Sequence, residues 1–453
     1  MLGLKWSSID FERKSMTINH KVTEQRVNGK YVPVVSDVMK NKTSCRTLPL
    51  IPAVEAELLK QKEKQQLYRR LFGKSYRTDY LDFVCTDQEG KLLRPNFVTE
   101  HFEWLLRQYG LPHIRFHDLR HSCASLIVMK KEKRYLVPGD YMADPAVHVF
   151  NDRLYIYPSH DWESGIPEND NGDHFNMKDY HVFSTDDPMK GEIVDHGLVL
   201  TTEDIPWAGR QLWDCDVAEK DGKYYMYFPL KDQNDIFRIG VAISDRPEGP
   251  FIPQPDPMRG SYSMDPAVLN DGDCNYYMYF GGLWGGQLQR YRDNKALESG
   301  ATFPADNEPS IPGRVAKLSA DMLQFAEEPK AVVILDENGQ PLTAGDNERR
   351  FFEASWMHKY NGKYYFSYST GDTHRLCYAI GDNPYGPFTY QGVILTPVVG
   401  WTTHHSIVEY RGKWYLFHHD SVPSGGRTWL RSLKVCELEY DAEGKIITIE
   451  GLD

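Results

Sequence analysis

Cysteine is scarce and never paired: the seven residues, at 45, 85, 123, 215, 274, 377 and 436, form no CxxC motif and no cluster. That spacing argues against a zinc site or a disulfide framework and reads as reduced thiols, most of them buried. Long apolar runs are missing as well. No stretch approaches the ~20 residues that a helix needs to cross a bilayer, and the start MLGLKWSSID lacks a signal-peptide pattern. The expectation is a cytoplasmic protein without a membrane partner. A uniform charge is also lacking. Residues 1–134 hold 25 Lys and Arg against 15 Asp and Glu, whereas the remainder holds 27 against 49, so the net charge of −12 conceals a basic and an acidic segment. Such asymmetry fits a polyanion-binding module joined to a domain whose surface repels nucleic acid and anionic membranes.

What is present is a repeat. A polar residue, a few apolar ones, a turn and an aromatic run recur as DPAVHVFNDRLYIY, DCDVAEKDGKYYMYF, DPAVLNDGDCNYYMYF, EASWMHKYNGKYYFSY and HHSIVEYRGKWYLFHH. Aligned on Tyr155, Tyr225, Tyr277, Tyr365 and Tyr415, the leading residues Asp144, Asp214, Asp265, Glu353 and His404 keep one register within a residue. Strand-rich repeats of about 40–50 residues favour radial closure, because each unit buries its faces only against neighbours. The expected fold is an all-β five-bladed β-propeller preceded by a small α+β fragment. Equivalent positions then meet at the axis. The domain boundaries read as a fragment over 1–130, a linker over 131–139 that ends in Pro138 and Gly139, and a propeller over 140–453.

A ring of acids facing a cleft suits glycoside hydrolysis, which needs one carboxyl raised in pKa to protonate the leaving oxygen and another kept ionised. Trp213, Trp284, Trp356 and Trp401 lie near the repeats and could stack on sugar faces, although tryptophans in strands are more often core. The long segment SHDWESGIPENDNGDHFNMKDYH after the first repeat could close a cleft into a pocket.

In the first segment, LGLKWSSIDF, KNKTSCRTLPL and HDLRHSCASLI resemble the catalytic domain of tyrosine recombinases, the phage-integrase family. The resemblance makes Lys40 or Lys42 the hairpin lysine and His117 and Arg120 the start of its HxxR motif, with His121 on the same helical face. The family's first catalytic arginine precedes the strand with which this sequence starts, and its tyrosine nucleophile is not found past Lys130. Strand exchange therefore has no covalent route, and the fragment is expected to be inactive, with no specific nucleic-acid partner.

From about Pro138 onward, PGDYMADPAV, SYSMDPAV, RRFFEASWMHKYNGKYYFSYS and THHSIVEYRGKWYLFHH resemble glycoside hydrolase family 43, whose members include β-xylosidases and α-L-arabinofuranosidases. The resemblance implies an inverting enzyme with Asp144 as general base, Glu353 as general acid and Asp265 as the residue that raises and orients the acid. It also implies that His404 contacts calcium or another divalent cation, while His405, His418 and His419 read as strand residues. Trp213, Trp284, Arg375 and Asp216 are the expected substrate-binding residues. The repeat register selects Asp214 where the family's motif selects Asp216, and residues two apart on a strand can share a face. The expected function is exo-acting release of xylose and arabinose from xylo-oligosaccharides or arabinoxylan fragments of plant cell walls. An endo-arabinanase or a carbohydrate-binding propeller without catalysis are the alternatives.

Overall fold

A computed structural model of the 453-residue chain describes residues 2–11, 13–27, 30–36, 46–50, 52–108, 131–295, 302–401 and 404–452. The chain divides into two compact units, Met1–Met129 and Lys130–Asp453. Among the described residues, no helix is long and apolar enough to cross a membrane.

The first unit contains short strands, two antiparallel pairings of which join Ile9–Asp10, Ser15–Ile18 and Arg46–Pro49 into a sheet, and the helices Pro52–Phe72 and Pro95–Gln108. Both helices fall where the periodicity of EAELLKQKEKQQLYRRLFG and RPNFVTEHFEWLLRQYG places them. A small apolar cluster that includes Ile9, Leu50, Leu58 and Val84 joins the sheet to the longer helix. Lys40, Lys42, His117, Arg120 and His121 lie outside the described residues.

The second unit is built from five mainly antiparallel sheets. Their inner strands are Met142–Phe150, Asp216–Lys220, Ala267–Asn270, Glu353–Tyr360 and His405–Tyr410. Each inner strand touches the next, and the last touches the first. This is the closed ring of a β-propeller. The aromatic runs form the second strands, where alternation buries one ring set against each neighbouring sheet: Tyr225, Tyr227 and Tyr276 pack between the second and third sheets, and Tyr277, Tyr279 and Tyr364 between the third and fourth. The turn residues of the repeats supply tight hairpins; Asn151, Asp221 and Asn361 all adopt the left-handed backbone region that Asn and Asp tolerate.

The segment 131–139, read from sequence as a linker, holds a strand instead. Arg134–Tyr135 pairs with Ser432–Leu438 and completes the fifth sheet, so the beginning of this unit is hydrogen-bonded to its end. Two residues cannot nucleate a strand alone, and a buried ion pair fixes them: Lys434 Nζ donates to Asp420 Oδ2 at 2.8 Å, and the Tyr135 hydroxyl donates to Asp420 at 2.9 Å. Removal of residues 1–129 is expected to leave the second unit folded. Removal of 1–139 should lower the thermal midpoint, since it leaves the Asp420–Lys434 pair without its tyrosine, a loss of about 1–3 kcal/mol for one buried partner. Equal midpoints for the two truncations, measured by differential scanning calorimetry, would show that the strand does not close the ring.

Candidate active site

The five leading residues of the repeats, Asp144, Asp214, Asp265, Glu353 and His404, all line one cavity of about 350 Å³ and are all buried. Backbone irregularity turns them inward. Asp144 and Asp265 adopt φ of 46° and 57°, and Ala354, directly after Glu353, adopts 63°. The strand pairing slips between Ala143 and Ala146 and again between Glu353 and Trp356. Bulges of this kind re-aim side chains at the rims of sheets, and a left-handed backbone on a non-glycine residue persists only where its surroundings enforce it.

The carboxyl groups sit in different electrostatic settings. Asp144 Oδ1 accepts from Arg431 Nη1 at 2.7 Å, its Oδ2 accepts from Ser159 Oγ at 2.6 Å, and its backbone N–H donates to His419 Nδ1 at 3.1 Å. Burial by itself would raise this carboxyl, but the Arg431 guanidinium, followed by the nearby histidines and the Ser159 hydroxyl, holds it at about 2. Arg431 is pinned in turn by Asp161, which accepts from its Nε at 2.8 Å and its Nη2 at 2.7 Å. Glu353 has no such cation against it. Burial, and then the adjacent Asp265 charge, push its carboxyl up to about 8. Asp265 accepts the Ala354 N–H at 2.7 Å and thereby fixes the backbone beside Glu353. Burial and the neighbouring Asp214 raise Asp265 well above the usual carboxylate range, and Asp214 is itself raised to about 8, chiefly by burial. Like charges this close cannot all ionise, so Asp214, Asp265 and Glu353 titrate as one group and hold protons near neutral pH.

Of the other expected residues, Trp213 and Trp284 line the cavity. Trp213 is also a wall of the core: its indole packs edge-on to Phe175 and donates from Nε1 to the Phe175 carbonyl at 3.1 Å. Trp284 stacks on Trp401 with ring centroids 5.6 Å apart. Trp356 lies in the core, with its Nε1 on the Ile407 carbonyl. Two expected substrate contacts do not reach the cavity. Arg375 pairs with Glu348 and is partly exposed. Asp216 is buried in its strand, where it accepts the Val268 N–H and contacts His148 Nε2, both at 2.5 Å, while Asp214 lines the cavity. Asp214 precedes its strand and Asp216 opens it, so strand alternation does not place them on one face.

Sequence reasoning missed Arg431, which lines the cavity, and the support that Ser159 and His419 give Asp144; Arg431 and Ser159 lie outside the repeated phrases, and His419, at the end of the fifth, reads only as a strand residue. It also left open where the segment after the first repeat goes. Glu168, Asn169, Asp170, Gly172 and His174 line the cavity. Gly172, at φ 68°, passes so close that a Cβ there would come within 2.8 Å of the Trp213 ring. Glu163 ties this segment to the fifth sheet by accepting from Trp429 Nε1 at 2.9 Å and Arg427 Nη1 at 3.2 Å.

The cluster of Asp214, Asp265 and His404 places one donor atom from each within 4.8 Å of the others. Asp214 Oδ2 and His404 Nε2, 3.2 Å apart, are buried without a hydrogen-bond partner. A hard divalent cation with water ligands would satisfy both atoms, so the donor set fits one. The imidazole can ligate through Nε2 only with its proton on Nδ1, which means giving up the His405 N–H that Nδ1 now accepts at 2.9 Å.

Residues 136–446 match the model for "Glycosyl hydrolases family 43", and residues 1–131 match that for "Phage integrase family". A xylosidase/arabinosidase of Bacteroides ovatus is 83% identical over 325 residues, which is 72% of this chain and 100% of the relative. The solved structure of RS223 beta-xylosidase is similar at 77% identity and a TM-score of 0.70, covering 71% of this chain and 99% of that one. A further structure, a GH43 beta-xylosidase/alpha-arabinofuranosidase from a compost microbial metagenome in complex with xylotriose in a calcium-free form, matches at 60% identity and a TM-score of 0.69 over 71% of this chain and 98% of that one.

Proposed function

The chain belongs to glycoside hydrolase family 43, and from that premise we propose that it removes single xylose and arabinose units from the ends of xylo-oligosaccharides and arabinoxylan fragments, with inversion at the anomeric carbon. One observation carries the reading: within a single cavity Asp144 is held ionised at about 2 while Glu353 keeps its proton up to about 8. That divergence makes Asp144 the base and leaves the acid among Asp214, Asp265 and Glu353, of which Glu353 holds the place of the family's acid. Asp144 takes a proton from water as the water attacks the anomeric carbon, and Glu353 passes its proton to the departing glycosidic oxygen on the opposite side. Asp265 acts through position, by its hydrogen bond to Ala354 and its proximity to Glu353. The five sheets are the five blades of the propeller, and the recombinase-like fragment adds nothing to this chemistry.

Exo action rests on the segment from Glu168 to His174, which walls one side of the cavity and is clamped through Glu163. An open groove would let a chain pass through, as an endo-arabinanase requires. With xylohexaose as substrate, the first products should be xylose and xylopentaose in equal amounts, and proton NMR should show α-xylose before mutarotation. Early release of xylobiose to xylotetraose, or β-xylose as the first anomer, would refute exo action or inversion respectively.

Turnover should depend on pH in the direction set by these groups. Asp144 must be ionised, so the acid limb lies far below neutrality. Glu353 must be protonated, so kcat/KM should fall as pH rises through about 8, with a limb that belongs to the coupled acids as a set. A profile that is flat to pH 10 would remove the acid role from Glu353.

Asp214, Asp265 and His404 would hold a calcium ion, which when bound supplies positive charge beside three crowded carboxyls. Stripping the metal should lower turnover more than it lowers the thermal midpoint, and His404→Ala should abolish the response to added calcium. Full activity of a verified metal-free enzyme with an unaltered pH profile would count against the ion.

A further inference from the structure

A second group of metal-ligating side chains lies on the first sheet and serves no part of the hydrolysis. His160 and Asp179 occupy the adjacent strands Arg153–Trp162 and Asn176–Thr185, and His181 follows on the second of them. One ligand atom from each lies within 4.8 Å of the others. His160 Nδ1 is 2.5 Å from Asp179 Oδ1, and Asp179 Oδ2 accepts from Trp162 Nε1 at 3.1 Å. Two more carboxylates stand at the edge: Asp140 Oδ1 is 3.2 Å from His160 Nε2, and Asp195 Oδ1 is 3.6 Å from His181 Nδ1. That last nitrogen is buried and has no hydrogen-bond partner.

We propose that His160, Asp179 and His181 form a binding site for a divalent transition-metal ion of the zinc and cobalt class, with Asp195 as a fourth ligand and Asp140 as the carboxylate that orients the His160 ring. The orphaned His181 nitrogen is the first argument, because a buried ring nitrogen left without a partner costs free energy that a ligand bond would offset. Spacing is the second. Metal–ligand bonds of about 2.0–2.1 Å in a tetrahedral site put neighbouring ligand atoms roughly 3.4 Å apart. The His181–Asp195 separation already lies near that value, and the contact of His160 Nδ1 with Asp179 must open as its shared proton leaves, while Asp140 on the opposite ring nitrogen holds the imidazole in place. Donor chemistry is the third. Two imidazoles with carboxylates favour zinc, cobalt or nickel over calcium or magnesium, so this site differs in preference from the acid-rich cluster at the axis.

The site has a structural consequence. His160 directly precedes Asp161, the residue that pins Arg431 against Asp144. An ion there would clamp the strands Arg153–Trp162, Asn176–Thr185 and Val194–Thr201 beside the support of the catalytic base. The inference does not rest on the glycosidase reading, since bound metal and not turnover is its measure.

The test uses the full-length chain, stripped with chelator and titrated with cobalt(II) while visible absorption is followed; bound metal is then counted by atomic emission after gel filtration. Wild type should take up one cobalt per chain that His404→Ala also retains and His181→Ala loses. The same ion should raise the thermal midpoint of wild type but not of His181→Ala. Asp195→Asn, at a half-exposed position, should weaken binding by about 10–100-fold and keeps the test open should His181→Ala fail to fold. Undiminished cobalt uptake in both the His181 and Asp195 variants, or no wild-type cobalt beyond what His404→Ala removes, would overturn the site and leave a hydrogen-bonded histidine–carboxylate cluster in its place.

Discussion

Glu353→Gln is expected to slow release of xylose from xylobiose and longer oligosaccharides by about 10²–10⁴-fold, the range a positioned general acid supplies. Aryl xylosides with acidic phenols should be largely spared. A sugar alkoxide is a strong base and cannot depart without a proton, whereas a nitrophenolate can. The glutamine keeps the size of the side chain and, like the protonated glutamate it replaces, is uncharged below about pH 8, so the fold should tolerate it. Steady-state kinetics on xylobiose and on 4-nitrophenyl xyloside distinguish the outcomes: an equal loss on both substrates would mean that Glu353 is not the proton donor.

Asp144→Asn should lower turnover by a similar factor of about 10²–10⁴ on both substrate types, because water must be activated whatever the leaving group. Added azide, which needs no base, should restore turnover of the aryl substrate and yield the glycosyl azide of inverted configuration. Retention in that product would require a covalent intermediate on another residue and would make Asp144 the acid/base of a retaining enzyme. Some destabilisation should accompany the substitution. Losing one member of a buried ion pair costs about 3–5 kcal/mol, and this is an upper bound here because Arg431 keeps its bonds to Asp161. Thermal unfolding of the variant separates that cost from the kinetic effect.

The ring of catalytic candidates was legible because each repeat must present the same strand edge to the axis. A register kept within one residue across five copies is therefore a statement about space; Asp214, which holds that register, lines the cavity, and Asp216, where the family's motif points, does not. The repeats carry no information about what approaches them from elsewhere. Arg431 lies just before the strand Ser432–Leu438, and Asp161 and Ser159 lie beyond the repeated phrase. Arg375 pairs with Glu348 and does not line the cavity, a placement that no local pattern in the sequence expresses.

By itself, the sequence determined the propeller architecture, the acids and histidine that meet in the cavity, and the two parts of the chain, because hydrophobic period, turn chemistry and repeat register are local properties that one strand can express. The tertiary structure alone decided which acid is ionised. Asp144 and Asp265 share the phrase DPAV, yet one faces a buried guanidinium and the other faces two buried carboxyls. Their proton affinities are set by charges brought from other blades of the ring, and in a low-dielectric cavity those charges outweigh anything encoded beside the aspartates themselves.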